Sequence, residues 1–489
     1  MDAETPGDLR PPLTQADIRS IFIGIMLAML LSALDQTIVA TAMPTIGRDL
    51  GDVQHLPWVV TAYLLASTAV TPLYGKLSDM HGRRVMLLLG IAIFLAGSVV
   101  CALAPTMLAL IVGRAIQGIG GGGLIALAQT IVADMVTPRE RGRYQVYFGA
   151  VFASSSLAGP LLGGFFAEFL HWSWIFWINL PLGALAFWLT NDRLKKLPPN
   201  HRRHRLDGFG AAVMVAATVS LLLALSWGGV DYPWASWPII ALLAASATLW
   251  VAFAGRMALA SEPLIPISVL RDPVVGTATL AGALAMGTYI GLTIFVPIYY
   301  EAGLGFSARQ SGLALIPVMI GVVIGATASG RAMASVRHYK RIPVAGLTLS
   351  VLSVGTVAAT VGSLPFWALL ILLGLSSIGL GTLLPVATVA VQNAVQHHHL
   401  GTATAAMNFF RQLGGALVVA LFGAVAFGGQ AGGDGVTLDM LSGRGSDLSA
   451  IFRSVFGLAT LGLAAALLFL VLMEERPLRT GSPGGGPEA

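Results

Sequence analysis

Runs of about twenty apolar residues, separated by short polar or basic stretches, recur from Ser20 to Met473 and constrain this chain more than any other feature. A hydrocarbon layer about 30 Å thick requires about 20 residues per helical crossing. The runs are continuous and rich in Leu, Ala, Val and Gly, whereas strands of a membrane barrel would alternate apolar and polar residues. They therefore read as helices. With 56% hydrophobic and 10% charged residues, against about 25% charged in soluble domains, the expected class is an all-α polytopic membrane protein.

The pattern predicts fourteen crossings, at 20–43, 54–74, 85–104, 107–133, 144–170, 173–190, 208–227, 237–255, 274–300, 310–332, 342–362, 365–391, 405–427 and 451–473. Orientation follows from the basic residues. Of the 28 Lys and Arg, only Arg48, Arg309, Arg444 and Arg453 fall on the outer side of this arrangement and Arg114 and Arg411 inside spans. The rest gather at the other ends, so both termini are expected in the cytoplasm. The heaviest cluster, NDRLKKLPPNHRRHRLD at 191–207, reads as a topological anchor beside anionic headgroups. The opening MDAETPGDLRPPLTQADIRS lacks a signal peptide's basic region, apolar core and cleavage site, so the first span is expected in the mature protein.

Several function classes drop out. A pI near 9.5 would suit nucleic acid only if the basic residues shared a soluble face, and here they punctuate helix ends. Cys101 is the single cysteine and excludes a disulfide or thiolate-metal framework. No stretch fits GxxxxGK[ST], so no nucleotide cofactor is expected. The triplet His397 to His399 has no nearby cysteine and reads as solvated, so no metal is assigned.

Four stretches carry more. LDQTIVATAMP places Asp35 in an apolar run, GKLSDMHGRR (75–84) reads as the inner loop between the second and third spans, GRAIQGIGGGG (113–123) places Arg114 within the fourth, and AGPLLGG (158–164) lies in the fifth. Glycines permit close helix approach, and Asp79 can cap a helix start or meet a positive partner. An arginine at membrane depth costs about 2.5–3.5 kcal/mol and should face a partner or a wet cavity.

In this order, with WSWIFWINLPLG (172–183) and MNFFRQLGG (407–415), these motifs resemble the major facilitator superfamily, specifically its fourteen-span drug:proton antiporters. The resemblance covers essentially the whole chain. It implies two six-helix bundles, 20–190 and 273–473, joined through 191–272 by a basic loop and two additional helices, with polar segments 1–19 and 474–489 at the ends. It implies gating roles for Gly75, Asp79, Gly82, Arg83, Arg84, Gly159, Pro160, Gly163, Gly164 and Arg411. It also implies a bacterial inner-membrane monomer that handles a small-molecule substrate, protons and lipid, with no nucleic acid. In the second half, GRAMASVRHYKR (330–341) keeps the basic residues but lacks an aspartate.

Asp35 precedes Met43 by eight positions and Arg114 follows Met107 by seven. At 1.5 Å per residue both lie about 11 Å below the outer end, so adjoining helices would bring them level. Burial disfavours a charged carboxylate and a nearby guanidinium favours it. Their pairing reads either as a permanent salt bridge or as a proton switch driven by alternating access. Gln117, one turn from Arg114, is placed to orient it. Asn179, Tyr289, Asn408, Arg411 and Gln412 read as cavity residues or interhelical ties, with Gln117 and Glu301 as further cavity candidates, and Arg411, near the inner end, alternatively as snorkelling to water or meeting Asp79. Glu168 and Glu301, near outer ends, read as a second proton site or as interfacial residues. The expected function is export of amphipathic or cationic molecules in exchange for protons. The alternatives are export of a lipid or self-made antibiotic, nutrient symport and, in another class, a lipid-modifying enzyme.

Overall fold

The computed structural model describes residues 15–196, 206–333, 335–427 and 445–478. Among them the chain is helical, with no strand beyond one isolated bridge between Gly228 and Tyr232. Backbone groups in hydrocarbon must be satisfied within their own segment, which selects helices for runs of this composition. The first half contains α1 (Gln15–Leu50), α2 (Trp58–His81), α3 (Arg83–Ala102), α4 (Met107–Gly121), α5 (Leu124–Met135), α6 (Pro138–Phe169), α7 (Trp174–Trp177) and α8 (Asn179–Asn191). An additional pair, α9 (Gly208–Trp227) and α10 (Trp237–Leu259), leads through α11 (Ile267–Arg271) into the second half. That half is α12 (Pro273–Leu304), α13 (Ala308–Ala314), α14 (Ile316–Met333), α15 (Arg341–Thr360), α16 (Phe366–Ala394), α17 (Leu400–Phe427) and α18 (Gly445–Leu472).

Among the described residues, 12 helices are long and apolar enough to cross a membrane. The two other expected crossings fall on α2, whose last turns carry Lys76, Asp79 and His81, and on α7 with α8, divided at Ile178. Large apolar side chains such as Leu157, Trp188, Val251 and Leu461 are exposed around the outside. Such a surface requires lipid, so the chain is an integral membrane protein.

The ends of several elements differ from expectation. GKLSDMHGRR is not a loop: α2 stays helical through Gly75 to His81, and only Gly82, at φ 89°, separates it from α3. Hydropathy marks where apolar residues stop, while a helix continues as long as its backbone bonds can be made. The fourth expected span is broken between α4 and α5 at Gly122 and Gly123. There a side chain at 122 would strike the Ser67 carbonyl and one at 123 the Tyr74 ring, so the glycines admit α2 at close range.

Within the first half α1 packs on α6 and α8, and α4 on α2 and α3; within the second, α16 packs on α14 and α15, and α12 on α17 and α18. The halves meet through α2 against α17 and α6 against α14. At one such crossing Gly142 and Gly330 bring backbones into contact, where a Cβ on Gly142 would lie 2.6 Å from the Gly330 carbonyl. The additional pair packs on itself and, through α9, on α2 and α17.

Candidate functional site

Asp35, in the middle of α1, is fully buried, and so are Gln117 and Asn179, with Arg114 1% exposed. Arg114 Nη1 donates to Asp35 Oδ2 and, at 2.8 Å, to Gln117 Oε1, while Nε donates to the Val59 carbonyl at 2.9 Å. The Tyr63 ring lies under the guanidinium, with its centroid 4.5 Å from Cζ. The other carboxylate oxygen, Oδ1, accepts from Gln117 Nε2 at 3.2 Å and from Asn179 Nδ2 at 3.3 Å. Ser98 Oγ closes the ring, accepting from Gln117 at 2.7 Å and from Asn179 at 3.3 Å. Five helices, α1 to α4 and α8, thus converge on one carboxylate.

Local sequence explains the convergence. Arg114 and Gln117 are three residues apart on one face of α4. Gly97 and Gly113 let α3 and α4 touch: a Cβ at 97 would be 2.5 Å from the Gln117 amide, and one at 113 would be 2.7 Å from Cys101 Sγ. On the opposite flank of α1, Gly159 and Gly163 seat α6 against Thr37, Ile38 and Thr41. Gly164 faces open space and Pro160 is exposed, so neither takes part in that contact. Ser98 and Tyr63 carried no signal in the sequence, since a lone hydroxyl or phenol in a helical run looks like any other.

A second cluster lies at the end of the molecule that carries most of the basic residues, here the basic end. Asp79 accepts from Arg83 Nη1 at 2.5 Å and, across to the other half, from the Gly401 and Thr402 amides at 3.1 and 2.8 Å and from Thr402 Oγ1 at 2.6 Å. A carboxylate at the start of α17 satisfies unpaired N–H groups and meets the positive end of the helix dipole. Gly75 makes room, since a Cβ there would be 2.6 Å from the Gly401 carbonyl. Arg83 Nε also donates to Asp134 Oδ2 at 2.9 Å, and His397 Nε2 lies 3.7 Å from Asp134 Oδ1. Arg84 stays within its own half, donating to the carbonyl and side chain of Asn191 at 2.7 and 2.6 Å.

Polar ties between the halves continue toward mid-depth. Asn408 Nδ2 donates to Gln129 Oε1 at 2.8 Å, and Thr68 Oγ1 to Gln412 Oε1 at 2.8 Å. Tyr289 is half-buried and borders a small apolar cleft with Met286 and Leu384. Glu168 is exposed and Glu301 half-buried, both at the distal end and away from the Asp35 network.

Arg411 takes neither of its two inner-end alternatives. It neither reaches the water at the basic end nor meets Asp79, because it lies about 16 Å along α17 from Leu400, where Asp79 is bound. Among the described residues its Nη atoms reach only Thr388 Oγ1 and the Leu384 carbonyl. The aspartate missing from 330–341 is replaced by a residue from beyond α18: Glu475 accepts from the Lys340 amide at 3.1 Å and stands 3.3 Å from His338 Nδ1. Residues 474–478, expected as part of a polar tail, are packed on this half through Arg476 to Asp272 at 2.8 Å and Asn393 to the Pro477 carbonyl at 3.1 Å. Among the described residues no group of three or more His, Cys, Asp or Glu is arranged to hold a metal.

The sequence is 39% identical over 413 residues to Multidrug resistance protein 3 of Bacillus subtilis, covering 84% of this chain and 80% of that one. It is 35% identical over 411 residues to Multidrug transporter protein MdtP of the same organism, covering 83% and 74%. Among solved structures, a bacterial homologue of the iron transporter ferroportin in an outward-facing state aligns with a TM-score of 0.67 at 11% identity over 92% of this chain and 98% of that one. The proton:xylose symporter XylE aligns with a TM-score of 0.62 at 16% identity over 94% and 96%. Residues 25–419 match the Major Facilitator Superfamily as a family, and with two helical halves meeting over buried polar ties, the chain belongs to that superfamily of membrane transporters.

Proposed function

We propose that the protein exports amphipathic or cationic small molecules from the cytoplasm in exchange for protons, by alternating access between its two halves. The observation that carries this reading is Asp35, a carboxylate fully enclosed at membrane depth and held by Arg114, Gln117 and Asn179 from three other directions. A buried ion pair kept only for stability gains little over an apolar replacement, whereas intramembrane ionisable groups mark proton and substrate paths. Proton binding to Asp35 removes the charge that holds Arg114 and frees α1 to shift against α4. Release of the proton on the other side restores the pair. The membrane potential adds about 2.3 kcal/mol per charge per 100 mV.

The Asp79 cluster then serves as the gate at the cytoplasmic side, with Gly75 and Gly142 as the close crossings that shut it. In this reading α2 and α7–α8 join the 12 apolar helices to make fourteen crossings, and both termini lie in the cytoplasm of a bacterial cell. The names of the multidrug relatives support export of several unrelated molecules. The protein works as a monomer.

The test is dye efflux in everted vesicles under an imposed pH gradient. Asp35→Asn keeps an oxygen for Arg114 and lets the chain fold, yet it is expected to abolish proton-driven efflux. Undiminished efflux by that variant rejects the assigned role.

A further inference from the structure

Arg411 is enclosed between α12, α16 and α17, 7% exposed, without a carboxylate partner among the described residues. Its contacts are loose: Nη1 and Nη2 each lie 3.3 Å from Thr388 Oγ1, Nη2 lies 3.4 Å from the Leu384 carbonyl, and Nε has no acceptor. Bonds from a guanidinium to a charged acceptor close at about 2.7–2.9 Å. As a staple between α16 and α17 this is poor, and an uncompensated guanidinium at membrane depth is costly.

One edge of the group lies against a glycine of α12, which alone leaves room for it. A Cβ at Gly282 would lie 2.9 Å from Nε and 3.6 Å from Nη2, the two donors that form a fork. One turn farther along α12, Met286 and Tyr289 border an apolar cleft with Val322, Leu380 and Leu384, the last of which already receives Arg411. The enclosed part of that cleft is about 10 Å³, about what one water needs. It is the end of a cleft among α12, α14 and α16, sized for a small group, and the bulk of any occupant must extend out of its open side.

We propose that Arg411 receives the anionic group of the transported molecule, a monovalent carboxylate on an apolar body that lies along Met286 and Tyr289. This rests on the reading of the protein as an exporter of amphipathic molecules and narrows their class. Chloride is the other source of the same charge.

The test uses the full chain in lipid nanodiscs, with empty discs subtracted, and compares binding of 4-phenylbutyrate with that of its neutral amide by calorimetry. The acid is expected to bind about tenfold tighter, the ratio a hydrogen-bonded charge supplies. Arg411→Gln and Gly282→Ala should each bring the two ligands within about twofold, and Arg411→Lys should keep part of the preference. Chloride titrated at constant ionic strength separates the sources: competition assigns a site for any monoanion, and its absence assigns the organic carboxylate alone. Absence of acid binding, equal binding of acid and amide, or a preference that survives Arg411→Gln overturns the proposal. No gradient is applied, and Asp35→Asn should retain the preference, so a failure here is separate from a failure of proton-driven efflux.

Discussion

Each half of the molecule encloses an arginine at membrane depth, and the two are treated in opposite ways. Arg114 has a carboxylate, an amide, a carbonyl and an aromatic face around it. Among the described residues Arg411 has one hydroxyl, one distant carbonyl and an unpaired Nε. The same division runs through the basic end. In the first half Asp79 reaches across to the other half, whereas in the second Glu475 stays at home and ties residues 338–340 to the end of α18. The fold repeats, but its charges do not. Among the described residues, the first half pairs its buried arginine with a carboxylate and the second does not.

Removing one side of each device tests that asymmetry. The largest effect is expected for Arg114→Met, which strands the buried Asp35 and should cost about 3–5 kcal/mol in a denaturation series. Adding Asp35→Asn to it should recover most of that loss but not efflux. Next, Asp79→Asn should cost about 1–3 kcal/mol through the amides it leaves weakly held, seen as faster hydrogen exchange at Gly401 and Thr402. Glu475→Gln acts on a partly exposed contact and should cost less than about 1 kcal/mol by the same denaturation measurement. The smallest loss is expected for Arg411→Met, which strands no carboxylate and removes a poorly compensated charge, so the same measurement should show stability unchanged or raised. A loss there as large as at Arg114 would erase the contrast between the halves.

The sequence exposed the helices clearly because lipid makes every crossing a long apolar run. It exposed the Asp35–Arg114 pairing for the same reason, since charges in such runs are few and their depths can be counted from helix ends. Where a helix outlasts its apolar stretch the signal fails: α2 continues through Lys76 and Asp79 because those residues stand at the basic end, where a helical turn needs no hydrocarbon. Asn179 gave no sign that it would face Asp35, because its direction depends on how α8 leans on α1 and α3. The two inner-end alternatives for Arg411 fail for a related reason. Depth along α17 is readable, but which neighbours a side chain meets is set by packing, and Gly282 on α12 provides the space it occupies.

The additional pair stands astride the seam that closes the basic end. Met214 of α9 and Trp250 and Phe253 of α10 share one apolar cluster with Leu73 of α2 and Ala406 of α17. Any parting of α2 from α17 must therefore peel this pair off one of them, exposing grease to whatever fills the gap, unless lipid follows it in. A two-helix buttress fixed to both leaves of a door makes the width of opening a property of the bilayer as much as of the protein.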